Sequence, residues 1–282
     1  MTYQVRITQS TSQRLPDQIT LQYGPRPELG QFFLTADKAA RDRGVSLSLN
    51  ADFDYLRIVN NANKDSWDSL APSFNNALNT IDERNGFCII GRNAAGDVVS
   101  TQAARVYDLT GSTLADCVSS FRFFYGDPGQ MCEAGETCAF TSPSASRLTG
   151  RIVFSGSTWI HPDYRKRGLP AILPRISRAL ALTRWDTDYT ISFVKFVLVE
   201  KGVAKAYGYK NIEPALEWRA PDGKMRYQGA LIWMDRQELL ADMQRFPEII
   251  APTEDTGAAN TGMPNAATGI RPIEAGERAV LN

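Results

Sequence analysis

The clearest chemistry in the chain lies between Trp159 and Leu173, WIHPDYRKRGLPAIL. A basic turn, Arg165-Lys166-Arg167, runs into Gly168 and then into an apolar-periodic segment that starts with Pro170. Ahead of it, Arg151 to Ile160 (RIVFSGSTWI) is an apolar β-type run ending at His161-Pro162. Strand, basic glycine turn and helix N-terminus together make an anion site. The turn offers backbone N–H groups, the helix adds the positive end of its dipole, and the arginines add charge. The chain is therefore expected to hold a phosphorylated ligand. Taken alone, Arg165-Lys166-Arg167 would read as a solvated charge run; the glycine and helix that follow favour the phosphate. His161 is the single histidine and precedes a proline at a strand end, so a structural or surface role is expected of it.

The elements that would position this turn can be read on either side. Leu29 to Arg43 reads as a helix with Leu29, Phe32, Phe33, Ala36 and Ala40 on one face and Gly44 at its end. A helical or mixed segment is expected from about Asp52 to Asn79. Phe87 to Arg92 and Asp97 to Tyr107 read as strands joined by a hairpin turn at Asn93-Ala94-Ala95-Gly96. Short β-type runs are expected at Tyr3 to Thr8 and Ile19 to Tyr23, and a helix from Leu114 to Tyr125 whose aromatic end joins the core. After the basic turn, a helix from Leu169 to about Thr183 carries Ile172, Leu173, Ile176, Ala179 and Leu180 as its stripe, with Pro174 near its start. Tyr189 to Val199 contains a strand that passes into a short helix ending near Tyr207. Tyr227 to Met234 reads as a late strand, and Asp235 with Glu238 as a capping box opening a last helix.

The chain has 282 residues and no net charge. That length fits one large domain or two small ones. The neutral balance argues against a nucleic-acid binder, which would carry a basic excess. No apolar run has the length of a membrane span, and Met1 to Gln9 shows no signal-peptide pattern, so a cytoplasmic protein is expected. Cys132 and Cys138 flank Gly135 and could form a disulfide or a metal pair. With one histidine and no Cys-x-x-Cys, zinc is disfavoured, and four free thiols are expected with no metal.

The run from Ile160 to Ala171 resembles motif A of the GNAT superfamily of N-acetyltransferases. In that family a strand ending in V-x-P leads into a Q/R-x-x-G-x-G/A turn and a helix. Ile160-His161-Pro162 stands for the first part and Arg165-Lys166-Arg167-Gly168-Leu169-Pro170 for the second. Downstream, Lys205-Ala206-Tyr207-Gly208-Tyr209 resembles the family's Y-x-K-x-G-F ending, and the paired strands near 87–107 match its second and third strands.

The resemblance implies an α+β, three-layer fold with a mixed, strongly twisted sheet splayed at the fourth strand and helices on both faces. It would place the acyltransferase domain at 29–249 with an insertion at 108–149, after an N-terminal extension at residues 1–28, while the shift to Ala, Gly, Thr, Pro and Asn beyond Pro247 reads as a loosely ordered tail at 250–282. The resemblance implies acetyl-CoA or another acyl-CoA as co-substrate, with a small-molecule or amino-acid-like amine as acceptor. The pantetheine arm would lie along Thr158, Trp159 and Ile160. The pyrophosphate would sit on the turn, at Arg165, Lys166, Arg167, Gly168, Leu169 and Ala171. It also makes a homodimer an expectation, with neither nucleic acid nor membrane as partner.

Two positions depart from the pattern. Pro170 replaces the second Gly/Ala and removes one N–H donor, although proline suits a first helical turn. The family's usual acidic tyrosine falls on Ala204, which leaves Tyr207 as the candidate acid and Glu200 as the candidate base. The alternative is a non-catalytic acyl-CoA-binding sensor or assembly module. A nucleotide or nucleic-acid phosphate on the turn is a more distant third, since no Walker-type Lys-Ser/Thr is present.

Overall fold

The turn at Asn93 to Gly96 folds as its composition demands. Asn93 Oδ1 accepts the N–H groups of Ala95 and Asp97, and Gly96 takes φ 88°. It joins the first long hairpin of the sheet. The structure, a computed structural model, describes residues 13–251. Its strands are β1 (Ser46–Asn50), β2 (Gly86–Arg92), β3 (Val98–Leu109), β4 (Thr137–Phe140), β5 (Gly150–Ile160), β6 (Tyr189–Lys195), β7 (Asn211–Arg219) and β8 (Met225–Asp235). The helices are α1 (Arg26–Arg41), α2 (Phe53–Ala62), α3 (Leu114–Ser119), α4 (Pro128–Met131), α5 (Leu169–Trp185), α6 (Phe196–Glu200), α7 (Val203–Ala206), α8 (Arg236–Gln244) and α9 (Phe246–Ile250).

All eight strands form one sheet in the order β1-β2-β3-β5-β6-β8-β7-β4. Every pair is antiparallel except β5 with β6. Alternation along the strands sends side chains to two cores. Phe87, Ile89 and Val153 face α1, α5, α8 and α9, whereas Cys88, Ile90, Ile152 and Phe154 face α2, α3 and the aromatic run at 121–125. The result is the mixed, three-layer α+β fold that the GNAT resemblance implies, with helices on both faces. The splay also falls on the expected strand. That strand is fifth in this chain because β4 precedes it.

Several local expectations are corrected. Ile19 to Tyr23 stays outside the sheet, and its backbone is held by Tyr23 N–H donating to Thr183 O (3.0 Å). The helix expected over 114–125 stops at Ser119, because Phe121 adopts φ 61° and breaks the helical path. Phe123, Phe124 and Tyr125 nevertheless reach the core. Pro174 lies in the second turn of α5, not the first, and the helix runs through it to Trp185. The passage from strand to short helix after Tyr189 is as expected, with β6 ending at Lys195, Phe196 to Glu200 helical and α7 ending at Ala206 beside Tyr207. Strands β1, β4 and β7 were not expected, and β4 arises within the 108–149 segment to pair with β7. The run at Tyr3 to Thr8 and the tail beyond Ala251 lie outside the described residues. All four cysteines are free thiols. No helix among the described residues is long and apolar enough to cross a membrane.

Candidate functional site

The site begins with a register fault in β5. Ala103 pairs with Gly156 and Thr101 with Trp159, so Ser157 and Thr158 together oppose the single residue Gln102. This is a β-bulge, and Ser157 absorbs it at φ 50°. Gln102 is buried at the fault and stitches it together. Its Nε2 donates to Gly156 O (3.1 Å) and Ser155 Oγ (3.0 Å), and its Oε1 accepts the Thr158 hydroxyl (2.5 Å). Ser155 Oγ then meets Ser177 Oγ on α5 at 3.0 Å. Gly156 fits because the Phe74 ring lies where a side chain would begin, 3.0 Å from an added Cβ.

On its other side β5 pairs with β6 only at Ile152, Val153 and Phe154. From Ser155 to Ile160 that edge has no strand neighbour among the described residues. An open edge presents N–H and C=O groups at strand spacing, which an extended ligand with amide groups can pair as an added strand. Trp159 itself turns away into packing. Its indole stacks on Trp67 (5.4 Å between centroids) and donates Nε1 to Ser66 Oγ (3.1 Å).

The open edge leads into the basic turn. Lys166 and Gly168 both adopt left-handed backbone, φ 62° and φ 76°. In this conformation the N–H groups of Lys166, Arg167, Gly168 and Leu169 donate to no acceptor among the described residues. Consecutive free N–H groups at the head of a helix of 17 residues have the form of an anion cradle, with the fully buried Leu169 at its inner end. Ala171, expected in this cradle, instead gives its N–H to Gly168 O (3.0 Å), and Pro170 has none to give. The cradle is thus shorter than the motif suggests.

The arginines around it hold its shape. Arg165 donates to Ile160 O and Ser66 O (3.2 and 3.1 Å), and Arg167 donates to Asp163 O (2.9 Å) while lying 4.3 Å from the Tyr164 ring centre. Lys166 is exposed and makes no hydrogen bond or ion pair among the described residues. Sequence reasoning missed Arg43, just beyond α1. Its Nε reaches Arg167 O at 2.6 Å, and Arg167 Nη1 returns a bond to Arg43 O at 3.4 Å. Nothing in the local sequence of Arg43 marks it, since only the fold brings α1 to the turn. Gln102 did leave a signal, as a polar residue inside the buried strand segment Val99 to Ala104.

The candidate catalytic residues separate. Tyr207 closes the one-turn helix α7 and lies against Thr158. Burial pushes its phenol above the usual range, and the Thr158 hydroxyl works in the opposite direction. Ala204, where the family pattern places its tyrosine, is buried. Glu200 ends α6 exposed to solvent and makes no hydrogen bond or ion pair among the described residues. His161 is structural in its contacts: Nδ1 accepts the Asp163 N–H at 3.3 Å, and the ring stands edge-on to Trp159. Of the expected residues, then, the structure brings Thr158 and Tyr207 together. It lines up Lys166 to Leu169 as free donors and leaves Glu200 apart.

No family model matches the chain, and no curated protein does. Among solved structures, it is similar in fold to the aminoglycoside acetyltransferase AAC(6')-Ib in complex with coenzyme A and kanamycin, at 14% identity and a TM-score of 0.38, over 69% of this chain and 96% of that one. It is also similar to a variant of spermidine N-acetyltransferase SpeG from Vibrio cholerae, at 11% identity and a TM-score of 0.39, over 69% of this chain and 96% of that one. A third similar structure is the GNAT domain of S. lividans PAT, at 12% identity and a TM-score of 0.37, over 68% of this chain and 90% of that one.

Proposed function

We propose that this protein is an N-acyltransferase that moves an acetyl or other acyl group from acyl-CoA to the amine of a small-molecule or amino-acid-like acceptor. The observation that carries the reading is the continuity of two binding surfaces. An open strand edge from Ser155 to Ile160 leads, within a few residues, to the exposed Lys166, Arg167 and Gly168, whose N–H groups have no acceptor among the described residues. The first suits the two amides of a pantetheine arm, and the second suits the diphosphate at its far end. Arg43, Arg165, Lys166 and Arg167 supply positive charge beside the diphosphate.

In this reading the amine nitrogen attacks the thioester carbon, an N–C bond forms, and the C–S bond breaks. Backbone N–H groups of the β5 edge would stabilise the oxyanion. Tyr207 would hand its proton to the departing thiolate, and its raised pKa keeps that proton in place through neutral pH. The amine's own proton leaves through water. Glu200, exposed as it is, would take that proton only by such a relay.

The alternative, an acyl-CoA-binding module without turnover, is favoured by Ala204 at the usual acid position and by the distant Glu200. Calorimetric titration of acetyl-CoA, run beside free-thiol release with a panel of amines, separates the two. Saturable binding with amine-dependent thiol release supports the enzyme. Binding without release supports the module. No binding overturns both.

A further inference from the structure

Helix α5 carries two arginines where an amphipathic helix should carry none. Arg178 is 1% exposed and Arg175 is 3% exposed, and both meet Asp242 of α8, itself 4% exposed. Arg175 grips the carboxylate with two bonds, Nε to Oδ2 (2.8 Å) and Nη2 to Oδ1 (3.0 Å). Arg178 adds Nη2 to Oδ2 at 2.8 Å. Two enclosed guanidiniums on one carboxylate leave an excess of positive charge. Apolar residues of similar size would meet the packing need at lower desolvation cost.

The remaining donors show what the excess charge holds. Arg175 Nη1 donates to Ala206 O (2.9 Å) and to Ala171 O (2.8 Å). Arg178 Nη1 donates to Tyr207 O at 2.8 Å, and its guanidinium lies over the Tyr209 ring at 4.8 Å. Consecutive carbonyls at the end of α7 are therefore clamped from α5. The clamp also explains Gly208, whose φ is 89° and whose added Cβ would collide with Arg175 and come within 2.8 Å of both Asp242 oxygens. One end of the cluster touches the first turn of α5, behind the anion cradle. The other fixes the backbone from which Tyr207 reaches Thr158.

The hydrogen-bond directions at the bulge add to this. Gly156 O can only accept, so the Gln102 amide must point Nε2 toward it and Oε1 toward Thr158. The single Thr158 proton goes to Gln102, which fixes the Thr158 hydroxyl at the bulge beside Tyr207. Tyr207 is thus held by its carbonyl from behind, beside a Thr158 that is itself fixed by Gln102.

We infer that Arg175, Arg178 and Asp242 are positioning residues for acyl transfer: they fix the Tyr207 hydroxyl at the open edge of β5, in register with the phosphate cradle. The inference rests on the acyl-CoA reading above. Arginine is required because one planar group must serve the carboxylate and a carbonyl together, which a lysine ammonium cannot do at the same geometry.

The test uses the full chain with 3-fluorotyrosine incorporated at position 207, in the wild-type, Arg178→Met and Arg178→Lys backgrounds, with thermal melts on each. Arg178→Lys keeps the buried charge and serves if Arg178→Met does not fold. The expected results are a shifted or broadened fluorine resonance in the variant and a fall in kcat of about 100-fold with KM for acetyl-CoA nearly unchanged. The fall should match that of Tyr207→Phe and should not deepen in the double variant. An unchanged resonance, or kcat losses that multiply in the double variant, would overturn the inference. If wild-type protein neither releases thiol nor moves its resonance on adding acetyl-CoA, the acyltransferase reading fails. The positioning of Tyr207 is then judged on the resonance alone.

Discussion

Helix α5 carries basic residues in two places, and the two could hardly be treated more differently. At its head, Lys166, Arg167 and Gly168 are exposed, and the Lys166 ammonium and the N–H groups of all three have no acceptor among the described residues. Two turns further on, Arg175 and Arg178 are sealed in the core, held to Asp242 and to the carbonyls of Ala171, Ala206 and Tyr207, with only Arg178 Nε of the pair buried and unpartnered among the described residues. The free donors can exchange water for a ligand at little cost to the fold. The enclosed ones cannot lose a partner without leaving a charge in low dielectric. Charge on one helix thus divides into a part left free for a ligand and a part that holds geometry, and satisfaction, not residue type, tells them apart.

The sharpest way to break this division is Asp242→Asn. It leaves both guanidiniums enclosed without a counter-charge and should cost about 3–5 kcal/mol. A denaturation midpoint measures this directly, and melting should fall by roughly 6–20 °C for a domain of this size. A variant as stable as wild type would mean that solvent reaches the cluster and that the division is false.

Next in size is the double substitution Arg165→Ala with Arg167→Ala. Both side chains are exposed yet clamp carbonyls of the turn, to Ile160, Ser66, Asp163 and Arg43. Acetyl-CoA affinity should fall roughly 10–100-fold, with stability changed by less than about 1 kcal/mol. The opposite pattern, lost stability with retained affinity, would reverse the roles given to the two ends of α5.

How far this was legible in the sequence follows from the range of the forces involved. The basic turn, β5, α5 and the β2–β3 hairpin are local patterns, written in Gly168, in the apolar stripe of α5 and in Asn93-Gly96. The long-range pairings were not legible. Strand β7 hid behind Pro214, which sits in mid-strand beside a register shift, and β1 is only five residues long. The partial blunting of the cradle could not be read from spacing either, because it depends on Ala171 closing onto Gly168. Arg175 and Arg178 carry no local signal, since only packing against α8 and α7 reveals what they face.

A smaller effect comes from a second engaged group, Glu213 of β7. Burial pushes its carboxyl up. Donation from the Ser142 and Ser144 hydroxyls, the Ser144 N–H and the Trp233 indole outweighs this and brings it from the usual 4.5 to about 2. A folded pKa below the unfolded one means stability that is fully present above about pH 4.5 and is lost as pH falls through about 2. Glu213→Gln should be less stable at neutral pH and lose less on acidification. Urea midpoints between neutral and strongly acid pH would show it, and parallel curves for the two proteins would remove Glu213 from the engaged class.

The smallest effect, and the cleanest probe of the free class, is at Lys166. It combines an exposed ammonium, unpartnered among the described residues, with a left-handed backbone at φ 62°. Lys166→Ala removes the charge and keeps the backbone strain, whereas Lys166→Gly removes both. If the N–H groups do most of the holding, the two variants should weaken acetyl-CoA binding alike, by about 2–5-fold at low salt, in line with an exposed charge near a helix head. Both differences should shrink toward nothing near 1 M salt, where the screening length is about 3 Å. Lys166→Gly should in addition melt slightly higher than Lys166→Ala, by the strain released. If affinity instead collapsed in both variants, the ammonium and not the backbone would be the principal phosphate ligand. The head of α5 would then bind through side-chain charge, with its free N–H groups incidental to the ligand.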